Sequence, residues 1–256
     1  METEQLVVNT LVFLRDMQNG IAQAQLFKGI RGLGIRSVEV RREFIHGEAE
    51  YRQIRQEADH LDLKLLYSVP DVLFVRGELN LLKLRKYFSE ARQMGAQMIK
   101  FNLGDFRGWT DPILKAFYDL AVHSQTVVTV ENDQTLENGT VDNMLPFFEE
   151  CKSKGIPVFM TFDVGNWYWV DEDPLTNAAK LAPHVRYIHL KDVQLTPDGP
   201  RAARLGEGGA PWQHVLALLS SQVFLPLALE YPCGTEPCDV LAQEIAKLNQ
   251  SRFPDL

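Results

Sequence analysis

Eight short apolar runs, each followed by a turn and an amphipathic stretch, constrain this chain more than any other feature of its sequence. They are Val7–Phe13, Ser37–Arg41, Lys64–Val69, Met98–Leu103, Val127–Glu131, Val158–Asp163, Tyr187–Leu190 and Leu227–Glu230. Most are apolar nearly throughout, as expected of parallel strands covered on both faces. Spread over 256 residues, they leave about 32 per unit, which suits a strand plus its crossover helix.

The intervening stretches carry the helical period. Leu79, Leu82, Tyr87, Phe88, Ala91 and Met94 make one stripe, which leaves Lys83, Lys86, Glu90 and Arg92 for solvent. Ile21, Ala24, Leu26, Phe27 and Ile30 make another, stopped by Gly32 and Gly34; Leu145, Phe148 and Cys151 repeat the pattern before Gly155 and Pro157. No linker, low-complexity tract or change of composition divides the chain. The expectation is one α/β domain over residues 1–256, a (β/α)8 TIM barrel. A doubly wound open sheet is the competing architecture, but it has fewer strands and a glycine-rich first turn that opens a helix. Here Gly29-Ile30-Arg31-Gly32-Leu33-Gly34 precedes a strand.

Charge and cysteine content narrow the function classes. A net charge of −8 disfavours nucleic acid or an anionic membrane as partner. No apolar run approaches the roughly 18 residues of a membrane span. Met1-Glu2-Thr3-Glu4-Gln5 lacks the basic start and apolar core of a signal peptide. Cys151, Cys233 and Cys238 are odd in number and too sparse for a disulfide framework. Cys233 and Cys238 have no nearby histidine and read as reduced thiols in place of a zinc site. Cytoplasmic residence is the expectation.

In a βα barrel the carboxyl ends of the strands converge on one mouth, so polar residues there share a cavity. The last four strands end in Glu131, Asp163, His189 and Glu230. Charged groups closing a buried apolar run are costly unless paired or ligated. Each alone has an ordinary reading: a carboxylate caps a helix or meets an arginine, a histidine is simply hydrogen-bonded. On four consecutive strands, three carboxylates and an imidazole would repel one another without a cation. Oxygen donors with one nitrogen suit Mn²⁺ or Mg²⁺ best, with Co²⁺ or Zn²⁺ as alternatives.

Val130-Glu131-Asn132, Asp163-Val164-Gly165-Asn166, His189-Leu190-Lys191-Asp192, Gly206-Glu207-Gly208 and Leu229-Glu230-Tyr231-Pro232 occur in that order. With Gly32-Leu33-Gly34-Ile35 leading into Val38-Glu39-Val40-Arg41, they resemble the xylose-isomerase-like barrel superfamily, and within it the sugar phosphate isomerase/epimerase group. The resemblance implies one divalent metal held by Glu131, Asp163, His189 and Glu230. It implies further that Glu131 and Glu230 move a proton beside a carbonyl through an enediolate. Which of the two is first the acid and which the base stays open. The multi-zinc nucleases of the superfamily carry many histidines; Asn166 and Asn102 stand where they have histidine, which speaks against an abasic-site endonuclease. Many ketose epimerases also carry a histidine near Asn166, so a standard ketohexose is not implied.

Six further residues are candidates for substrate contact: Lys100, Asn166, Trp167, Lys191, Arg204 and Glu207. Lys191 lies two positions after His189 and shares its face; it meets either a substrate oxygen or phosphate, or Asp192 or Glu207. Lys100, inside an apolar strand, needs a carboxylate such as Glu131 or a substrate. Glu39 and Arg41 share a face, as an ion pair bracing the barrel or as substrate contacts. Gly206-Glu207-Gly208-Gly209, with Arg204, would let backbone N–H groups approach a substrate anion such as a phosphate, or is a surface turn. One of Trp167, Tyr168 and Trp169 would stack on a sugar. Trp212 is a helix-start anchor. Asn132 and Asn166 would orient ligands or a hydroxyl.

The expected function is a metal-dependent sugar or sugar phosphate isomerase/epimerase. A dehydratase of a keto-inositol or dehydroshikimate and a non-catalytic sugar-binding barrel are the rivals. The partner is a small sugar-like molecule; a homo-oligomer is compatible with this reading.

Overall fold

In the computed structural model, which describes residues 5–124, 126–220 and 225–250, the apolar runs form parallel strands. These are β1 (Leu6–Asn9), β2 (Ser37–Arg41), β3 (Lys64–Val75), β4 (Met98–Gly104), β5 (Val127–Glu131), β6 (Val158–Asp163), β7 (Val185–Leu190) and β8 (Leu227–Leu229). Hydrogen-bonded neighbours follow chain order from β1 to β8, and β8 pairs back with β1, closing the barrel. Met1–Glu4, where the sequence shows no signal-peptide pattern, lie outside the described residues.

Each strand is followed by a covering helix: α1 (Gln23–Gly32), α2 (Glu48–Leu61), α3 (Leu81–Met94), α4 (Asp111–Ser124), α5 (Val141–Lys154), α6 (Pro174–Leu181), α7 (Trp212–Leu219) and α8 (Pro237–Gln250). An antiparallel hairpin, Asp192–Thr196 with Gly199–Ala203, follows β7. Among the described residues, no helix is long and apolar enough to cross a membrane.

Five strands differ in their bounds from the sequence reading; β4 ends one residue later, β7 begins at Val185 and β8 stops at Leu229, while the first and third differ more. The first strand stops at Asn9, and Thr10–Phe13 form a 3-10 turn. Asn9 Oδ1 accepts the N–H of Leu11 at 2.9 Å, and this cap ends the strand. The third strand runs to Val75 because a bulge between Ser68 and Val72, around Pro70, lets it resume pairing with β4.

The α3 stripe also needs correction. Leu82 is 86% exposed and Leu79 precedes the helix; Leu84, Tyr87, Phe88, Ala91 and Met94 face the barrel. Glu90, expected in solvent, is buried. Arg42 grips it through Nε at 2.9 Å and Nη2 at 3.2 Å, and Tyr67 Oη donates at 2.7 Å. Ile21, assigned to the first helical stripe, is exposed and lies outside α1. Trp212 does open α7, buried, as expected. All three cysteines are free thiols.

The main core lies between barrel and helices. A smaller cluster, Val7, Leu66, Tyr187 and Ala228 with Met98, fills the inside of the barrel. Two residues further along each of those strands stand Asn9, Ser68, His189, Glu230 and Lys100, all buried. Side chains two apart share a face, so the barrel interior turns from apolar to charged within one step toward its carboxyl end.

Candidate metal and acid–base site

Strand register gathers the four strand-end residues. Asp163 on β6 pairs with His189 on β7, whose other neighbour is Ala228, two before Glu230. Glu131 closes β5, opposite Thr161. Each of Glu131, Asp163, His189 and Glu230 offers one ligand atom, and these atoms lie within 4.8 Å of one another. All four residues are buried.

Glycine and asparagine set the Asp163 carboxylate. Its Oδ1 accepts the backbone N–H of Gly165 and of Asn166, each at 2.8 Å, leaving Oδ2 for the cavity. Asn132 brackets the Asp163 backbone, accepting its N–H at 2.9 Å and donating to its carbonyl at 3.0 Å. Asn166 Nδ2 donates in turn to the Asn132 carbonyl at 2.9 Å. A Cβ on Gly165 would come within 2.5 Å of the Lys191 Cγ, so glycine there leaves room for the lysine stem.

Three cations enter the same volume. Lys191 Nζ lies 2.8 Å from Asp163 Oδ2 and 3.1 Å from Glu230 Oε2; its partners are these, and neither Asp192 nor Glu207. Lys100 pairs with Glu131, one of the two outcomes its position in the strand allowed. Arg41 does not brace Glu39: its Nη1 donates to Glu230 Oε1 at 2.8 Å and its Nε to Glu43 at 2.6 Å. His189 Nδ1 stands 2.6 Å from Glu131 Oε1 and 3.3 Å from Glu230 Oε2, while its Nε2 stands 2.8 Å from Glu39 Oε2.

These contacts spread the titrations apart. Burial pushes Asp163 up to about 7 against the pull of Lys191. Burial also raises Glu131, but Lys100 and His189 outweigh it and hold the carboxyl at about 2. Burial opposes ionisation of Glu230 as well, yet His189, Lys191 and Arg41 keep it well below the usual carboxylate range. Burial would lower His189; Glu39, Glu230 and Glu131 instead raise it well above an ordinary imidazole.

The donor set suits a divalent ion. Glu131 Oε1, Asp163 Oδ2 and both His189 nitrogens are buried and have close charged contacts but no aligned hydrogen bond, an incompletely satisfied state that a cation at the centre of the cluster would relieve. The cluster could hold a metal ion.

The remaining candidates divide. Asn166 lies against the Asp163 loop, as described. Trp167 is fully buried, packs on Phe162 with ring centroids 5.4 Å apart, and leaves its Nε1 without a hydrogen-bond partner. Arg204 turns to α8, donating to Gln243 at 2.7 Å and lying 3.6 Å from Glu244; Glu207 is exposed and 3.8 Å from Arg204. The glycine segment is already committed. The N–H groups of Gly206, Gly208 and Ala210 donate to the Asp192 carboxylate at 2.9, 3.0 and 2.9 Å. The anion they bind is the protein's own Asp192, not a substrate phosphate.

Asn9, Tyr187 and Glu39 complete the charged layer. Asn9 Nδ2 donates to Glu39 Oε2 at 2.7 Å and to Glu230 Oε1 at 3.3 Å; Tyr187 Oη donates to Glu39 Oε2 at 2.8 Å. Asn9 and Tyr187 were not singled out from the sequence, although their two-residue spacing from Val7 and His189 was available as a signal.

The family model described as xylose isomerase-like TIM barrel matches residues 27–251. The chain belongs to this family. Among solved structures, this xylose isomerase-like barrel is similar to an L-ribulose 3-epimerase, with TM-score 0.70 and 12% identity, covering 97% of this chain and 94% of that one. It is similar to a D-tagatose 3-epimerase-like protein (TM-score 0.69, 15% identity, 97% and 100% covered). A probable 3-DHS dehydratase, AsbF, from Bacillus anthracis aligns at TM-score 0.67 and 14% identity, covering 96% and 98%. At these identities the likeness is one of fold. No curated protein matches the sequence.

Proposed function

We propose that this xylose isomerase-like barrel is a metal-dependent isomerase or epimerase of a sugar or sugar phosphate. The observation that carries the reading is the meeting of Glu131, Asp163, His189 and Glu230 at one point. These four residues would hold one divalent ion, Mn²⁺ or Mg²⁺ by donor type. Bound there, the ion supplies polarisation of the substrate carbonyl and charge stabilisation for the enediolate oxygen.

The chain's own residues do the rest. Glu131 and Glu230 come from β5 and β8, with β6 and β7 between them, so their carboxylates approach a substrate from two sides of the mouth. One takes the proton from the carbon beside the carbonyl and the other delivers one to the opposite face or neighbouring carbon. Buried cations hold both ionised before substrate enters, so either can accept, and the delivering carboxylate must first take a proton from solvent, which the accepting one later returns to solvent. Lys100 and Lys191 are assigned to the substrate's hydroxyl or phosphate oxygens, and Asn166 to keeping the Asp163 loop in place. Trp167, packed on Phe162 in the core between barrel and helices, would support the Asp163 loop from behind. Arg204 and Glu207 are assigned to the outer rim.

Likeness in fold to a probable dehydratase supports a second reading, in which the same proton removal is followed by loss of hydroxide. Purified protein should contain one divalent metal per chain, and incubation with keto sugars should give isomers of unchanged mass. A product lighter by one water, with a new conjugated ultraviolet band, would select the dehydratase. Full turnover after exhaustive chelation would overturn both.

A further inference from the structure

Glu39 is a carboxyl group that the acid–base chemistry above does not use. It sits in the middle of β2, between Val38 and Val40, and is fully buried. A buried carboxylate without a paired cation is costly, and removing a paired one's partner is costlier still. Lys100, Lys191 and Arg41 pair with Glu131, Asp163, Glu230 and Glu43. Among the described residues Glu39 forms its ion pair with His189, Oε2 to Nε2 at 2.8 Å. That same oxygen is fixed from two other strands, by Asn9 Nδ2 at 2.7 Å and Tyr187 Oη at 2.8 Å. Asn9 is itself anchored by its cap on Leu11. The carboxylate is therefore held against one ring nitrogen of His189, Nε2, which has no aligned hydrogen bond to any other group, while the other faces Glu131 and Glu230.

We infer that Glu39 is the positioning residue of the metal site: it keeps the Nε2 proton of His189 in place and so commits Nδ1 to the ion. The inference rests on the metal-binding part of the proposed function. An imidazole has two nitrogens, and a ligating one requires its neighbour to be the protonated one. An anion on the far side enforces that choice, orients the ring and strengthens the ligating nitrogen as a donor. Glu39 acts through His189; it needs no contact with substrate.

The test uses Zn²⁺ alone as a diamagnetic probe on the full chain. In wild-type protein labelled with ¹⁵N-histidine and loaded with Zn²⁺, His189 should show Nδ1 metallated and Nε2 protonated. Competition against a chromogenic chelator should show Glu39→Leu binding Zn²⁺ about 10- to 100-fold more weakly. Glu39→Gln, which keeps an acceptor without charge, should fall between. Glu90→Gln, at a buried carboxylate gripped by Arg42 and Tyr67 away from the cluster, should stay within about twofold. If Glu39→Leu does not fold, the wild-type spectrum and Glu39→Gln decide. A metallated Nε2, or Glu39 variants that bind like wild type, would overturn the inference alone. A wild-type protein that takes up no Zn²⁺, Mn²⁺ or Mg²⁺ would overturn the proposed function and this inference with it.

Discussion

Lys191 places its ammonium 2.8 Å from Asp163 Oδ2, the carboxylate oxygen left over once Gly165 and Asn166 have claimed the other. Both side chains are buried, so neither charge has water as a substitute partner. Lys191→Met should destabilise the metal-free protein by about 3–5 kcal/mol, the usual cost of stripping one partner from a buried pair. Urea unfolding in the presence of a chelator measures it. A change under about 1 kcal/mol would show that the pair is not formed in solution.

The segment after β7 should depend on Asp192 in the same way that a phosphate loop depends on its ligand. Asp192→Ala strips the acceptor from four backbone N–H groups, those of Val193, Gly206, Gly208 and Ala210, and should cost about 2 kcal/mol. It should also open residues 192–210 to limited proteolysis. Gly208→Ala should act similarly, at about 1–3 kcal/mol, because a Cβ there would lie 2.3 Å from Asp192 Oδ1 and 2.4 Å from the Val193 carbonyl. Inorganic phosphate should not protect this segment, since its amides are already engaged.

Metal affinity should rise with pH. In the metal-free protein Asp163 is pushed up to about 7, and His189 is raised well above its ordinary value. Both hold protons that an ion must displace, so protonation competes with binding. As pH climbs through 7 the Asp163 proton leaves first and the competition weakens; His189 extends the trend to higher pH. Affinity should gain about tenfold per pH unit for each proton displaced. Calorimetry of Mn²⁺ binding in buffers of different ionisation enthalpy counts those protons directly. Affinity that falls as pH rises from 6 to 8 would contradict the assignment.

The barrel was legible because its strands are short, apolar and evenly spaced, a pattern that parallel pairing with helical cover explains and little else does. The strand-end residues were legible for the same reason: Glu131, Asp163, His189 and Glu230 close apolar runs where charge is costly. What escaped was set by tertiary contacts. Thr10–Phe13 look like strand until the Asn9 cap turns the chain. Glu90 looks solvated until Arg42 and Tyr67 arrive from other elements. Arg41 and Glu39 share a face, yet each meets a partner from across the barrel, Glu230 and His189. Spacing along one strand cannot specify which of several inward charges will pair when eight strands close.

Solvent-deuterium exchange tests the central claim most directly. Mn²⁺-loaded protein, incubated in D₂O with a panel of keto sugars and their phosphates, should place label on the carbon beside the carbonyl of at least one. Glu131→Gln and Glu230→Gln should each slow that exchange by about 10²- to 10⁴-fold. Exchange that proceeds undiminished in either variant would contradict the paired-carboxylate account, whatever the barrel around it.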